Sequence, residues 1–193
     1  MSDGRINLTN QFLIAMPGMA DERFAGTVVY LCEHSERGAL GLVINKPIEL
    51  KLPNLFEKVE LHLGREDLHE EPVYFGGPVQ TERGFVLHER IGGEESPYHS
   101  TLAIPGAEVE MTTSRDVLEA LSSGAGPRRV LITLGYSGWA AGQLEDEIGR
   151  NGWLTVDAKP SVIFDTPVEQ RYDRALSLLG IDPRMLSQEA GHA

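Results

Sequence analysis

The chain has 193 residues, with 29 acidic and 17 basic side chains and a formal net charge of -12. This acidic balance disfavours direct binding to nucleic acid and to anionic membranes, because most of the surface would repel both. A single cysteine, Cys32, rules out an intramolecular disulfide. Residues 1–16 hold no basic segment leading into a long apolar run, so we expect a cytoplasmic protein without a membrane span.

The first half of the chain predicts short strands separated by turns that contain glycine or proline. Ser35 to Gly38 has the length and composition of a hairpin loop, and Pro47 cannot donate to a strand ladder. The segment 57–71 is rich in charge, which indicates a solvated connection. The predicted elements are strands over 12–15, 27–34, 39–45, 73–75 and 85–88, and a short helix over 52–59.

The second half predicts three helices among further strands. Thr113 and Asp116 have capping-box spacing at the start of one helix, and Thr166 and Glu169 have it at the start of the last, which Gly180 closes. The predicted strands are 108–111, 130–134, 153–156 and 162–164. The predicted helices are 113–122, a helix that follows Gly135 and runs through Gln143 to Ile148, and 166–179. The last helix has an apolar face of Val168, Tyr172, Ala175, Leu176 and Leu179.

The remaining segments carry little regular pattern. Residues 92–98 are the most loop-like stretch, and residues 181–193 are predicted to be a partly frayed tail. No repeat, low-complexity tract or shift in composition marks a domain boundary, so we expect a single domain over 1–193. Strands and helices do not alternate regularly, which favours an α+β fold over a doubly wound parallel sheet.

Five ordered motifs make the sequence similar to a known family. Several join an apolar strand to a glycine- or proline-containing turn, and together they span about residues 10–179. With them the chain resembles the AlgH/YqgE family, a group of small bacterial proteins of unestablished molecular function. The motifs are Phe12-Leu-Ile-Ala-Met-Pro-Gly-Met19, Gly41-Leu-Val-Ile-Asn-Lys-Pro47, Tyr74-Phe-Gly-Gly-Pro-Val79, Gly84-Phe-Val-Leu-His88 and Gly135-Tyr-Ser-Gly-Trp-Ala-Ala-Gly-Gln-Leu-Glu145.

The resemblance implies an α+β fold in which mixed β-sheets, partly closed into a small barrel, are flanked by helices. It also implies a place in transcriptional regulation, since the family takes its name from alginate regulation. Direct DNA binding is nevertheless disfavoured, because the chain is acidic and shows no helix-turn-helix pattern. The resemblance supplies no catalytic or binding residues, and no cofactor is predicted.

The first candidate site is Gly135-Tyr-Ser-Gly-Trp139, which follows a predicted buried strand and is expected to open a helix. A serine on such a turn would indicate a hydrolase, with Ser137 as the nucleophile. Trp139 stands where that motif requires a glycine, and no histidine can be assigned as the base. The favoured alternative is a structural turn with Ser137 as the helix N-cap, and a third is a small ligand or anion at the helix N-terminus.

The second candidate pairs Cys32 with His34, two residues apart on a predicted strand and therefore on one face. A thiol beside an imidazolium has a lowered pKa and reacts readily, so the pair would suit a redox sensor or a small enzyme. The alternative, which the sequence favours, is a buried and inert cysteine with His34 at the solvent end of the strand.

A third candidate is a contact surface at the glycine-rich turns, where a ligand or a partner protein could approach the backbone closely. No metal site is predicted, because the histidines are scattered and none has the spacing of a metal-binding motif. The acidic residues 145–147 are predicted to form a solvated face. The candidate contact residues are Gly76, Gly77, Tyr136, Ser137 and Trp139.

The sequence therefore favours a non-enzymatic, cytoplasmic protein with a regulatory or binding role, acting through contact with a protein or a small molecule. The alternatives are a thiol-based redox sensor or small enzyme that uses Cys32 with His34, and a hydrolase-like site at Ser137.

Overall fold

The computed structural model describes residues 7–16, 26–91 and 96–180, and it shows a curled, mostly antiparallel sheet with helices on both faces. The α+β class predicted from the sequence is confirmed. The predictions for Pro17-Gly18-Met19, for residues 92–95 of the loop and for the tail 181–193 lie outside the described residues.

Ten strands and five α-helices lie within the described residues. The strands are β1 (Gln11–Ala15), β2 (Val28–Ser35), β3 (Gly38–Val43), β4 (Pro47–Lys51), β5 (Pro72–Phe75), β6 (Val79–Glu89), β7 (Thr101–Ala103), β8 (Val109–Thr112), β9 (Val130–Ala140) and β10 (Trp153–Asp157). The helices are α1 (Leu52–Lys58), α2 (Arg115–Ser122), α3 (Gln143–Gly149), α4 (Pro160–Phe164) and α5 (Arg171–Ser177), with 3-10 turns at Glu66–Leu68 and Val168–Gln170.

The sheet runs in the order β10-β1-β2-β3-β9-β6-β8-β7, and the pair β4-β5 joins it through β9. Neighbouring strands are antiparallel except β5 and β9, which are parallel. The sheet therefore has two wings. The first wing is β10-β1-β2-β3, and the second is β6-β8-β7 together with β4 and β5.

Strand β9 connects the two wings. Residues 130–134 of β9 pair with β6, whereas residues 137–140 pair with β3. On the edge of β9 that faces away from β6, residues 133–134 pair with β5. Because one continuous strand belongs to both wings, the wings cannot separate without breaking its hydrogen bonds.

Three apolar clusters hold the helices to the sheet. The inner cluster contains residues of both wings, so it lies inside the curl, and it receives Val162 and Ile163 of α4 with Ala175 and Leu176 of α5. A second cluster lies on the outer face of the first wing and includes Leu144 of α3. A third lies on the outer face of the second wing, under α1 and α2.

The predicted strand over 162–164 is wrong, because these residues form helix α4. Val162 and Ile163 are β-branched, which favours a strand, but Pro160 lies in the first helical turn, where its fixed φ suits a helix. The helix buries Val162 and Ile163 in the inner cluster. Tertiary burial here outweighs local strand propensity.

The last predicted helix forms, but it begins later than the sequence indicates. A 3-10 turn occupies Val168–Gln170, and α5 starts at Arg171. Thr166 does not cap the helix, because its hydroxyl donates to the Ser161 carbonyl oxygen at 3.0 Å. The predicted apolar face is confirmed, since all five of its residues belong to the inner cluster or pack against it. Gly180 follows the helix with a φ of 76°, as a closing glycine does.

Candidate functional site

The predicted strand-to-helix turn at Gly135 is wrong, because β9 continues to Ala140 and α3 begins only at Gln143. Ser137 therefore lies within a strand and caps no helix. Its side chain is buried, and its hydroxyl donates to the Gly76 carbonyl oxygen at 3.1 Å. A serine needs an adjacent base to become a nucleophile, and this geometry gives the hydrolase hypothesis no support.

The glycines of two motifs contact each other where the Gly76-Gly77 segment crosses β9. A Cβ on Gly77 would lie 2.1 Å from the carbonyl carbon of Tyr136, and one on Gly76 would lie 2.3 Å from the Gly135 carbonyl oxygen. Gly77 and Gly135 also have positive φ values of 155° and 78°. Gly76 and Gly77, which were predicted to contact a ligand or partner, are therefore buried where two backbone segments cross, and they form no surface for a ligand.

The aromatic residues near this crossing pack in or against the apolar core. The ring of Tyr136 packs edge-on against Phe85, with centroids 5.6 Å apart. Trp139 packs edge-on against Trp153, and both indole N–H groups donate to Glu147 Oε1, at 3.0 and 2.9 Å. The sequence predicted a solvated carboxylate at Glu147, but this carboxylate is bound by two indole groups. Trp139 is buried and therefore not available to a partner.

The structure turns Cys32 and His34 in different directions, because β2 has a bulge at residues 31–33. Cys32 belongs to the inner cluster. The ring of His34, one residue beyond the bulge, contacts the backbone of Leu8 and the side chain of Glu145 from α3, on the outer face. The bulge resets the alternation of the strand, so the predicted shared face does not exist.

The environment of Cys32 disfavours the reactive thiolate form. Burial among apolar side chains raises the pKa of Cys32 well above its ordinary value, and the nearby charge of Glu33 raises it further. Its sulfur contacts the carbonyl oxygen of Tyr30 at 3.8 Å. The protonated thiol is not the reactive form, so these contacts oppose the redox hypothesis.

Both ring nitrogens of His34 are engaged by protein groups. Nδ1 accepts a hydrogen bond from the Leu8 N–H at 2.9 Å, which leaves the proton on Nε2 to be donated to Glu145 Oε1 at 3.0 Å. The imidazole is buried, and no nitrogen remains to take a proton from a substrate. His34 therefore joins α3 to the start of the described chain.

A buried polar network that the sequence analysis missed lies on β6, β7 and β8. His88 Nε2 is 2.7 Å from the Thr112 hydroxyl, which is 2.8 Å from the Thr101 hydroxyl. Burial lowers the pKa of His88, although the charges of Glu110 and Glu89 act in the opposite direction. Within the described residues, Glu110 Oε1 is buried without a hydrogen-bond partner.

An open cleft of about 210 Å³ lies between α1 and α2 on the outer face of the second wing. We call it the α1–α2 cleft. Its floor is formed by β6 and β9, where a Cβ on Gly84 would meet nothing within 4 Å. Its walls include half-buried apolar side chains, Leu55 and Val59 on the α1 side and Leu118 on α2. The cleft is therefore concave and mostly apolar, as small-molecule sites are.

The rim of the α1–α2 cleft carries residues of both charges, although the guanidinium of Arg83 lies over the ring of Phe85, 5.6 Å from its centroid, and Phe85 belongs to the inner cluster. It is lined by Arg83, Arg115 and Glu82. Arg83 donates to Gln80 Oε1 at 3.3 Å, and Arg115 donates to the Val59 carbonyl oxygen at 2.7 Å. Within the described ranges, neither guanidinium forms an ion pair with a carboxylate.

The described part of the chain shows no group of three or more His, Cys, Asp or Glu side chains placed to hold a metal ion. No helix in the same ranges is long and apolar enough to cross a bilayer.

Comparison with known proteins places the chain in a family. A family model described as AlgH-like matches residues 12–184. The chain belongs to the AlgH-like family. Its AlgH-like relatives include a UPF0301 protein of Ralstonia nicotianae, 66% identical over 191 residues, covering 99% of this chain and 98% of the relative. Another, from Polaromonas sp., is 69% identical over 189 residues and covers 97% and 96%.

Two solved structures resemble this AlgH-like fold. The solution structure of the AlgH protein from Pseudomonas aeruginosa has a TM-score of 0.77 and 47% identity, and the match covers 100% of both chains. The crystal structure of the protein DIP2367 from Corynebacterium diphtheriae has a TM-score of 0.66 and 21% identity, covering 90% of this chain and 89% of the other. The curled half-barrel flanked by helices is thus the AlgH-like fold.

The AlgH-like motifs have different roles in the structure. Those around Gly76-Gly77 and Gly135 form the buried crossing with β9. The motif that begins at Gly84 supplies the floor of the α1–α2 cleft. Sequence reasoning placed a strand over 85–88 and missed the cleft, because the cleft exists only once α1 and α2 pack over that strand.

Proposed function

We propose that this AlgH-like protein is a cytoplasmic, non-enzymatic protein that binds a small ligand in the α1–α2 cleft and acts in regulation through that binding. The observation that carries the proposal is the cleft, where Leu55, Val59 and Leu118 stay half-buried around the open space above Gly84. Ligand sites are typically apolar concavities with a few polar groups, which describes this cleft and its rim.

The contacts of the predicted catalytic residues support a binding role over an enzymatic one. The Ser137 hydroxyl faces the Gly76 carbonyl oxygen, and the Cys32 sulfur faces the Tyr30 carbonyl oxygen. Neither contact supplies the base that a nucleophile needs. His34, the remaining catalytic candidate, has both ring nitrogens occupied.

The regulatory part of the proposal follows from the family resemblance and does not require contact with DNA. Ligand binding can change the affinity for a partner through the helices that form the cleft, since a ligand shifts the equilibrium toward the conformation that it binds better. The acidic surface favours a protein partner over a nucleic acid for that second step.

The proposal is tested by an NMR titration of the isotope-labelled protein with 2-phenylethanol, a neutral probe with one aromatic ring. We expect saturable shift changes at amides around the cleft, including Gly84 and Leu118. A Gly84→Val variant should lose them, because its side chain fills the open floor. A Gly149→Ala variant is the control, since its methyl group enters open space at the end of α3, away from the cleft. Shift changes elsewhere, or unchanged binding by Gly84→Val, would refute the cleft as the binding site.

A further inference from the structure

We propose that the α1–α2 cleft binds uncharged ligands with a single ring, and that Arg115 sets this size limit by joining the start of α2 to the end of α1. This inference rests on the proposed function, because it names the ligand class and a specificity-determining residue for the same cleft. Three observations carry it: the balance of charge at the rim, the contacts of the polar residues that line the cleft, and the hydrogen bond from Arg115 to Val59.

The charges at the rim favour neither an anion nor a cation. Glu82 and Arg115 are exposed residues of opposite sign, so their charges balance. The guanidinium of Arg83 adds nothing here, because it lies over the ring of Phe85 on the inner side of β6. An ionised ligand group would therefore meet a like charge as well as an opposite one, and little would offset the hydration that it loses in the cleft.

Most of the hydroxyl groups that line the cleft already have partners in the protein. The Thr112 hydroxyl lies 2.7 Å from His88 Nε2. The Ser114 hydroxyl donates to Asp116 Oδ1, and it accepts from the Ser100 N–H at 3.2 Å. Among the lining hydroxyls that the structure describes, only that of Thr113 has no such partner, and it suits a neutral hydroxyl or carbonyl group. The cleft therefore offers a ligand one neutral polar contact and an otherwise apolar surface.

The size of the cleft limits the apolar part of the ligand. An engineered protein cavity of about 150 Å³ holds a benzene molecule. The α1–α2 cleft, at about 210 Å³, therefore has room for one ring and a short linker, whereas two fused rings with the same linker exceed it. Its floor offers apolar surface to such a ring, from Val86, Ile132 and Leu134 beside Gly84.

Arg115 joins the two helices that form the walls of the cleft. It is the first residue of α2, and its Nη2 donates at 2.7 Å to the carbonyl oxygen of Val59, the C-cap residue of α1. The last carbonyl groups of a helix lack partners within the helix, and an arginine side chain is a suitable donor for them. Val59 and Arg115 both line the cleft, so this hydrogen bond fixes the separation of its walls at that point.

The remaining contacts of α1 confine this effect to the end of the helix. Leu52 and Phe56 are buried in the outer cluster of the second wing, whereas Val59 is only half-buried. Loss of the hydrogen bond from Arg115 would therefore let the end of α1 move while the rest of the helix stays packed. Arg115 itself is exposed, and substitution of an exposed side chain changes stability little. The width of the cleft can thus change without unfolding of the protein.

Four probes, titrated into the isotope-labelled protein and followed by NMR shifts, test the charge and the size of the ligand. Phenylacetate, 2-phenylethanol and 2-phenylethylamine have one ring and differ in charge, and 2-(2-naphthyl)ethanol is uncharged with two fused rings. We expect 2-phenylethanol to bind at least about threefold more tightly than each of the others, because a buried charge and an excess of volume both cost binding free energy. Equal or tighter binding of the acid or the amine in the cleft would overturn the uncharged class and keep the proposed function.

Arg115→Met tests the size limit, because methionine keeps an unbranched side chain of similar length and donates no hydrogen bond. We expect this variant to bind the naphthyl probe at least about threefold more tightly than the wild type does, with 2-phenylethanol affinity changed by less than about twofold. Arg83→Met is the matched control, an exposed arginine of the same rim that packs on Phe85, and it should leave all four affinities unchanged. Denaturation midpoints show that both variants fold.

The failures of the inference and of the proposed function are distinguishable. An unchanged naphthyl affinity in Arg115→Met, or an equal rise in Arg83→Met, would overturn the role of Arg115 while 2-phenylethanol still binds in the cleft. Binding of none of the four probes in the cleft would overturn the inference and the proposed function together.

Discussion

At Gly77 the backbone of one motif touches the backbone of another, and only a hydrogen atom fits between them. A Cβ there would be 2.1 Å from the Tyr136 carbonyl carbon and 2.3 Å from the Ser137 nitrogen. These are backbone atoms, which cannot move aside as the end of a flexible side chain can. The positive φ of Gly77 adds strain for any other residue.

We predict that Gly77→Ala lowers the free energy of unfolding by at least about 2 kcal/mol, because overpacking and backbone strain add at one position. The control is Gly149→Ala at the end of α3, where the new methyl group has open space and the φ is not positive, so the stability should stay close to that of the wild type. Chemical denaturation of both variants measures the difference. Equal stability of Gly77→Ala and the wild type would show that this crossing is looser than the structure indicates.

At the scale of the element, the bulge in β2 determines which face of the sheet two candidate residues lie on. A strand that alternates without interruption places residues 32 and 34 on one face. The bulge at residues 31–33 resets the alternation, so Cys32 packs inside the curl and His34 binds α3. A bulge of this kind depends on the partner strand β3, and the sequence of β2 alone does not reveal it.

We predict that Cys32 reacts with iodoacetamide far more slowly than a free thiol at pH 8, because burial raises its pKa and blocks access. The rate should rise to that of a free thiol when denaturant unfolds the protein, and His34→Gln should not change the native rate. A variant that combines Cys32→Ala with Glu33→Cys is the control, since residue 33 is exposed and should react quickly. Fast labelling of native Cys32 that falls in His34→Gln would restore the redox hypothesis.

The sequence predicted correctly whether an element is a strand or a helix where the local pattern and the burial agreed. The apolar runs of β1, β2, β3 and β10 placed those strands correctly to within about two residues, and the helical spacing identified α5, although α5 begins later than predicted. The pattern failed at Val162-Ile163, where strand-forming residues are buried by a helix. It failed again at Gly135, where a glycine with positive φ occurs inside a strand because another backbone crosses it.

At the scale of the whole molecule, the α1–α2 cleft could not be predicted from local sequence patterns. Gly84 and Leu118 are far apart in the sequence and line one cleft because α2 packs across the outer face of β6. Sequence reasoning identified the glycine motifs as sites, since open turns and buried crossings have the same composition. It could not show which glycine faces open space, as Gly84 does.

The overall charge gives a prediction for the whole surface. The sequence has one pair of adjacent basic residues, Arg128-Arg129, and Arg129 Nη2 lies 3.2 Å from Asp165 Oδ2. The Arg128 carbonyl oxygen accepts a hydrogen bond from Arg65. Arg65 and Arg129 are thus paired with the carboxylates of Asp67 and Asp165, which reduces the positive charge that a phosphate would meet there.

We predict no mobility shift of duplex DNA or RNA by the isolated protein at nanomolar concentration and physiological salt, because a net charge of -12 repels the phosphate backbone. Arg128→Ala combined with Arg129→Ala should behave identically to the wild type. A shift that weakens steeply as salt rises, and that disappears in this double variant, would establish a nucleic-acid surface.

The position of β9 between the wings has a consequence for how the chain emerges from the ribosome. Strands β3, β5 and β6 are all made before residue 130, yet each needs β9 as a neighbour. Strand β1 similarly waits for β10. During translation these edges stay unpaired until about three quarters of the chain has been made, and unpaired edges invite association with other nascent chains. Completion of β9 therefore ends this exposure for β3, β5 and β6, and both wings acquire a neighbour from the same eleven-residue strand.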